Sequence, residues 1–166
     1  MNGHLLALCT STQKGHLKSP LKHGVLRENH GLEGDAHAGQ WHRQLSLLAE
    51  TDINYMRSRG LPGLKFGSFA ENMVVGGLPF GELIPGSVLQ IGDTAQIRIT
   101  QIGKECHSAC AIRTAVGDCI MPTRGLFAEV IRGGSIHVGD SIIQVNQSGC
   151  NDLEEDIGTL SHPLSA

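Results

Sequence analysis

The sequence has no stretch approaching the roughly 18 consecutive apolar residues of a membrane-spanning helix. Its early apolar run, Leu5 to Cys9, is short and lacks the basic start of a secretory leader, which leads to an expectation of a cytoplasmic protein. A cationic excess is also missing. Thirteen Lys and Arg face 16 Asp and Glu, a formal net charge of −3, which excludes a strongly basic nucleic-acid binder. Aromatic residues make up only 4% and charged residues 17%, but hydrophobic residues reach 40%, so a disordered chain is excluded. The familiar glycine signatures are absent as well. There is no G-x-G-x-x-G, no G-x-x-x-x-G-K-[ST] and no G-x-S-x-G, which removes the main support for a dinucleotide site, a P-loop or a serine-hydrolase elbow. Nor is there an even cysteine set. Cys9, Cys106, Cys110, Cys119 and Cys150 number five, so at least one cannot pair internally, and reduced thiols are expected.

What is present in excess is glycine, 22 of 166 residues, nearly twice the average usage of about 7%. The length suits one domain. The acids are unevenly placed: Asp152, Glu154, Glu155 and Asp156 fall in a terminal stretch without Lys or Arg. Without these four, 13 basic groups face 12 acidic ones, so the body is close to neutral. We therefore expect a folded domain over residues 1–146 and a flexible acidic tail over 147–166.

The glycines fall at turns between short apolar runs. Leu5–Thr10, Ala70–Val75, Ser87–Ile91 and Ala95–Ile102 read as strands, and Ile136–Val145 as two more broken at Gly139-Asp140. Residues 11–24 and 29–42 read as loops, the first basic and the second rich in Gly and His. One helix is expected over Leu47–Arg59, with Ser46 as N-cap and Gly60 at C′, and a short one over Leu126–Arg132. Six or seven short strands with one good helix and one small one favour a mainly β architecture closed into a barrel.

Three clusters carry candidate chemistry. Lys104-Glu105-Cys106-His107-Ser108-Ala109-Cys110 follows a strand, so both thiols belong to a loop at the barrel rim. Lys104 and His107 are cations suited to holding a thiolate for metal binding or sulfur transfer. Buried cysteines that merely pack as small apolar residues are the plainer alternative, and zinc bound by Cys106, Cys110, Cys119 and a histidine is another. His30, Asp35, His37 and His42 are imidazole and carboxylate donors for a transition metal, or hydrogen-bonded loop residues. Lys14, Lys18, Lys22 and Arg27 with Ser19 form a basic loop able to hold a phosphate, or a solvated one.

Taken in order, these segments resemble the MOSC domain, found at the C-terminus of molybdenum-cofactor sulfurases and as small stand-alone bacterial proteins. The resemblance rests on Lys18-Ser19, Gly31-Leu32-Glu33-Gly34-Asp35, Phe69-Ala70-Glu71-Asn72, Ser108-Ala109-Cys110 and Gly139-Asp140, and covers most of residues 5–145. It implies a β-barrel that binds the molybdenum cofactor, with a loop cysteine ligating molybdenum or carrying sulfur as a persulfide. By the Ser-x-Cys alignment that residue is Cys110, with Cys106 its rival. The resemblance further implies that Lys18 and Ser19 clasp the pterin phosphate and that Asn72 touches the pterin; Asp35, His107 and Ser108 join the candidate cofactor site. Ala36 and Ala70 stand where the family often has basic residues, so Arg43, Lys104 and Arg113 become the candidate replacements. The alternatives are a non-catalytic cofactor or sulfur carrier serving a donor or acceptor molybdoenzyme, and a molybdenum-dependent reductase of N-hydroxylated compounds. Pyridoxal phosphate, which full-length sulfurases hold on a separate domain, is not expected on this chain.

Overall fold

The computed structural model describes residues 2–106, 113–114 and 117–145. Among the described residues, the elements with both ends defined are eleven strands, two helices and a 3-10 turn at Phe80–Glu82. The strands are β1 Asn2–Thr10, β2 Ser19–Leu21, β3 His23–Arg27, β4 Gly31–Leu32, β5 Leu45–Ala49, β6 Met73–Gly76, β7 Val88–Ile91, β8 Ala95–Ile102, β9 Leu126–Arg132, β10 Gly134–His137 and β11 Ser141–Val145. The helices are α1 Glu50–Ser58 and α2 Met121–Arg124.

Seven strands close a barrel in the order β11-β7-β8-β9-β5-β6-β1, with β1 returning to β11. All these pairs are antiparallel except β5–β6. Strand β1 is long enough to serve two partners on one edge. It pairs β11 through Asn2–His4 and the added strand β2 through Leu8–Thr10. A bulge between Leu5 and Ala7 shifts the side-chain parity of β1. Leu5 and Leu8 consequently both face the barrel core, while Ala7 and Cys9 face a second apolar cluster outside it. A separate sheet, β10-β3-β4, contributes Leu26, Leu32 and Ile136 to the barrel core.

The second cluster explains where the helices lie. Ile53 and Met56 of α1 and Met121 of α2 pack with Leu48, Phe69, Val74 and Phe127 on the outer faces of β5, β6 and β9. Strands covered on both faces lose the polar alternation of half-exposed ones and read as near-continuous apolar runs.

That double coverage accounts for the first departure from the sequence reading. The helix expected over Leu47–Arg59 begins only at Glu50, because 45–49 is strand β5, buried throughout. Leu45 and Leu47 face the barrel and Leu48 the helix side, and an apolar run of this length fits a strand or a helix equally. Ser46 is therefore no cap. Ala49 occupies that position without a side-chain bond, and Glu50 and Asp52 in the first turn complement the helix dipole. The helix expected over Leu126–Arg132 is strand β9. Leu126, Ala128 and Val130 point inward and Phe127 outward, a period of two, with β8 and β5 on its edges. The small helix lies just before it, in α2. The two stretches read as loops also carry short strands, β2 and the start of β3 in the first and β4 in the second.

Two glycines fix the loops around the barrel mouth. Gly67 (φ +91°) lies so close to the Lys18 carbonyl oxygen that a Cβ would overlap it, and Gly103 (φ +66°) abuts the Pro122 carbonyl in the same way. Gly103→Ala and Gly67→Ala should each cost about 2–4 kcal/mol through strain and overlap. Gly139→Ala, with positive φ but open space, should cost only about 1–2 kcal/mol. Urea denaturation of the three variants checks this ordering, and equal losses would contradict it.

Candidate functional site

One cavity of about 400 Å³ opens at the mouth of the barrel between β5, β9 and four loops. Phe69, Ala70 and Asn72 reach it from the segment before β6, and Arg43 and Ser46 from the approach to β5. Lys104 and Cys106 reach it from the loop after β8. That strand is bulged between Ile99 and Gln101 and then turns at Gly103, whose N–H donates to the Gly125 carbonyl, so the strand end is re-aimed toward the opening.

The loop segments are knotted together beneath the cavity. Asn72 Oδ1 accepts from the Ser46 backbone N–H (3.1 Å) and hydroxyl (3.2 Å), and its Nδ2 donates to the Cys9 carbonyl (3.2 Å). Asn72 thus lines the cavity, but its amide is engaged in holding β1 and β5 together. The buried Glu71 carboxylate accepts the N–H groups of Gly67 (2.6 Å) and Phe69 (3.0 Å), and burial pushes its pKa up. This tight turn places Ala70 at φ +59°. Cys9, also buried, has its thiol raised to about 12 by burial and by the Glu71 charge, against the opposing pull of Lys18. Such a thiol is inert as a nucleophile.

Lys18, whose backbone N–H donates to the Gly67 carbonyl, forms a buried ion pair beside this turn. Lys18 Nζ lies 2.7 and 2.8 Å from the two oxygens of Asp35, with both side chains fully buried. Asp35 also accepts the Thr10 hydroxyl (3.1 Å) and the backbone N–H groups of Ser11 (3.2 Å) and His37 (3.0 Å). Burial pushes the Asp35 carboxyl up. Hydrogen bonds from Lys18 and from the His37 backbone N–H, together with the Lys18 charge, outweigh it and hold the group well below the usual carboxylate range. Burial draws the Lys18 ammonium down against the pull of Asp35. The two-oxygen geometry is that of an ionised pair.

The walls of the cavity are aromatic and cationic. The Arg43 guanidinium lies near both Trp41 (4.9 Å to the ring centroid) and Phe127 (5.6 Å), and Lys14 Nζ lies over the Trp41 ring at 5.4 Å. Lys14, Arg43 and Lys104 line the cavity, and no carboxylate does so among the described residues. The exposed Cys106 shares this wall. Cations gathered at a concave, partly apolar site raise the local concentration of anions.

The candidates from the sequence separate accordingly. Arg43, Asn72, Lys104 and Cys106 come together at the cavity, whereas Asp35 and Lys18 do not line it and reach it only through their contacts to His37. Ser19 sits instead in a separate groove of about 600 Å³ beside Leu17, Lys22, Phe66 and Val138. Arg27 pairs with Glu33 at the surface, and Arg113 is exposed outside the cavity lining. His107, Ser108 and Cys110 lie outside the described residues. The histidine cluster does not form a metal site: His42 Nε2 contacts Gln101 and Asp35 is committed to Lys18. No three His, Cys, Asp or Glu converge among the described residues, and the zinc set includes Cys110, which lies outside them. Trp41 was not legible as a site residue, although a sole tryptophan within a polar loop is a signal of its kind.

A model of the MOSC domain matches residues 33–143. The chain belongs to the MOSC domain family. Among solved structures it is similar to the YuaD protein of Bacillus subtilis (18% identity, TM-score 0.70, covering 86% of this chain and 94% of that one). It is also similar to YiiM of Geobacillus stearothermophilus (15%, 0.65, 87% and 75%) and YiiM of Escherichia coli (17%, 0.63, 87% and 70%). At these identities the likeness is one of fold. None of the curated proteins matches the sequence. As a mainly β MOSC barrel, the chain has no helix among its described residues long and apolar enough to cross a membrane.

The ion pair predicts a stability difference. Asp35→Asn leaves the Lys18 charge buried without its counter-ion, and should cost about 3–5 kcal/mol in chemical denaturation near neutral pH. Because the folded pKa of Asp35 is depressed, its contribution is complete above the unfolded carboxylate value of about 4 and is lost as pH falls below it. The gap between wild type and variant should therefore narrow on acidification. A constant gap down to strongly acidic pH would contradict the assignment.

Proposed function

We propose that this MOSC protein binds a molybdenum cofactor of the pterin-phosphate type in the 400 Å³ cavity. A thiol of the loop after β8 would then ligate the metal or carry sulfur to it. The reading rests chiefly on one observation, the exposed Cys106 thiol set among Lys14, Arg43 and Lys104 with no carboxylate in the described lining. The donor set fits such a group. Thiolate is a soft ligand for a thiophilic metal, guanidinium and ammonium groups answer a phosphate, and the Trp41 and Phe127 faces suit a flat heterocycle.

The residues divide the work differently from the family pattern. Lys18 has its charge matched by Asp35, so it is engaged in that pair rather than in clasping a phosphate, and Ser19 is outside the cavity. Lys14, Arg43 and Lys104 supply the anion-binding charge in their place, which compensates for Ala36 and Ala70. When bound, the cofactor supplies a redox-active, sulfur-accepting metal centre. The chain orients it, matches its charge and offers the thiol. Cys110, four residues beyond Cys106, is the second candidate for that thiol.

The test is metal and pterin analysis of full-length protein made in a cofactor-competent host. Wild type should carry molybdenum and pterin in stoichiometric amounts, and either Cys106→Ser or Cys110→Ser should lose the metal. Arg43→Ala and Lys104→Ala should each weaken retention by about 10- to 100-fold, the loss of one charged hydrogen bond. Protein without molybdenum, or molybdenum retained when both cysteines are replaced, would overturn the reading.

A further inference from the structure

Lys18 has three ammonium N–H bonds, and each has an acceptor within reach. Two meet Asp35 Oδ1 (2.7 Å) and Oδ2 (2.8 Å), and the third points at His37 Nδ1, 3.2 Å away. An ammonium group cannot accept a hydrogen bond, so at this contact the ring nitrogen must be the acceptor. A proton on Nδ1 would aim its N–H at a cation. The competing arrangement, Nδ1–H donating to Asp35 Oδ2, has a separation of 3.6 Å, too long for a hydrogen bond. Acceptance at Nδ1 therefore puts the imidazole proton on Nε2.

The backbone holds this ring in place from both sides. The His37 N–H donates to Asp35 Oδ2 (3.0 Å), and its carbonyl accepts the Trp41 indole N–H (2.7 Å). The side chain remains 29% exposed and lines the same cavity as Arg43, Lys104 and Cys106. No acceptor for Nε2 is found among the described residues.

We propose that His37 is a directional hydrogen-bond donor of this cavity, its Nε2–H aimed at an anionic oxygen of the ligand. The buried Lys18–Asp35 pair sets the tautomer and acts on the ligand only through it. The inference rests on the anion-binding reading above and extends it to a residue and a chemistry. Lys18 and Asp35 are positioning residues, and His37 makes the contact. A ring fixed as a donor favours an oxyanion, whether a phosphate ester or a metal-bound oxygen, and disfavours a ligand group that can only donate.

Two measurements on the full-length protein test this. Long-range proton–nitrogen correlation spectra of the histidine rings, with the His37 signals assigned by their loss in His37→Gln, should show Nε2 protonated and Nδ1 unprotonated. The opposite tautomer overturns the proposal. The sole tryptophan, Trp41, lies beside the ring, so its fluorescence reports binding of inorganic phosphate and of molybdate, titrated separately. His37→Gln carries an amide N–H to about the position of Nε2 and should bind close to wild type. His37→Asn, which reaches only the Nδ1 position, and His37→Ala should bind about 10- to 100-fold more weakly. Weakening confined to phosphate assigns the contact to a phosphate ester, and weakening confined to molybdate assigns it to a metal-bound oxygen. Wild-type affinity in His37→Asn and His37→Ala, with loss in Arg43→Ala and Lys104→Ala, would overturn the role of His37 and leave the anion-binding cavity standing. No binding of either anion by wild type would overturn both.

Discussion

The cavity depends on the buried pair of Lys18 and Asp35. Asp35 gathers five contacts from four residues: the Thr10 hydroxyl at the end of β1, the Ser11 N–H, both approaches of the Lys18 ammonium and the His37 N–H. Those residues belong to the first strand and the two loops that flank it in space. Lys18 is held in turn by its backbone, whose N–H donates to the Gly67 carbonyl at 3.0 Å. Three otherwise irregular segments, 10–18, 35–41 and 67–72, are thereby fixed to one point. Burying two charges is costly, and it is tolerated here because nearly every donor and acceptor of the pair is satisfied. No buried side-chain nitrogen or oxygen among the described residues lacks a partner.

A neutralised pair changes what the rest of the cavity does. The charge of Lys18 is cancelled by Asp35, so the unbalanced charge resides on Lys14, Arg43 and Lys104 at the walls and rim. Arg43 lies within cation–π distance of both Trp41 and Phe127, which tie its guanidinium to the cavity wall. The bulge in β8 and the turn at Gly103 bring Lys104 and Cys106 to the same opening. Barrel strands provide the rigid frame, and the loops at one end provide the chemistry, the usual division of labour in folds of this kind.

The barrel was legible because its strands are short, β-rich and separated by glycine turns; β8, read as Ala95–Ile102, agrees with the structure residue for residue. The errors both fall on buried runs. Residues 45–49 are a strand covered on both sides, by the barrel core within and the α1 and α2 cluster without, so polar alternation could not mark them; in 126–132 only Phe127 is covered outside, and the buried Phe127 beside Leu126 and Ala128 hid the period of two. At the site, Lys104, Cys106, Arg43 and Asn72 could be picked out singly from their residue types and family motifs. Their convergence could not, because it is made by contacts across long sequence separations, such as Asn72 to Cys9. Lys18 and Asp35 were legible as polar loop residues but not as a pair: nothing in the spacing tells a lysine that meets a ligand from one that meets a buried carboxylate.

If Cys106 stands in a cationic cavity, as its lining requires, the electrostatic preference of its alkylation must show it. Peptide mass spectrometry would follow the rates at which iodoacetate, an anion, and iodoacetamide, a neutral reagent of similar size, label Cys106 in the full-length protein. The account predicts an iodoacetate-to-iodoacetamide ratio above that of free cysteine, falling as salt is added and collapsing in Arg43→Ala and Lys104→Ala. A ratio at or below that of free cysteine, unmoved by salt or by these substitutions, would contradict it.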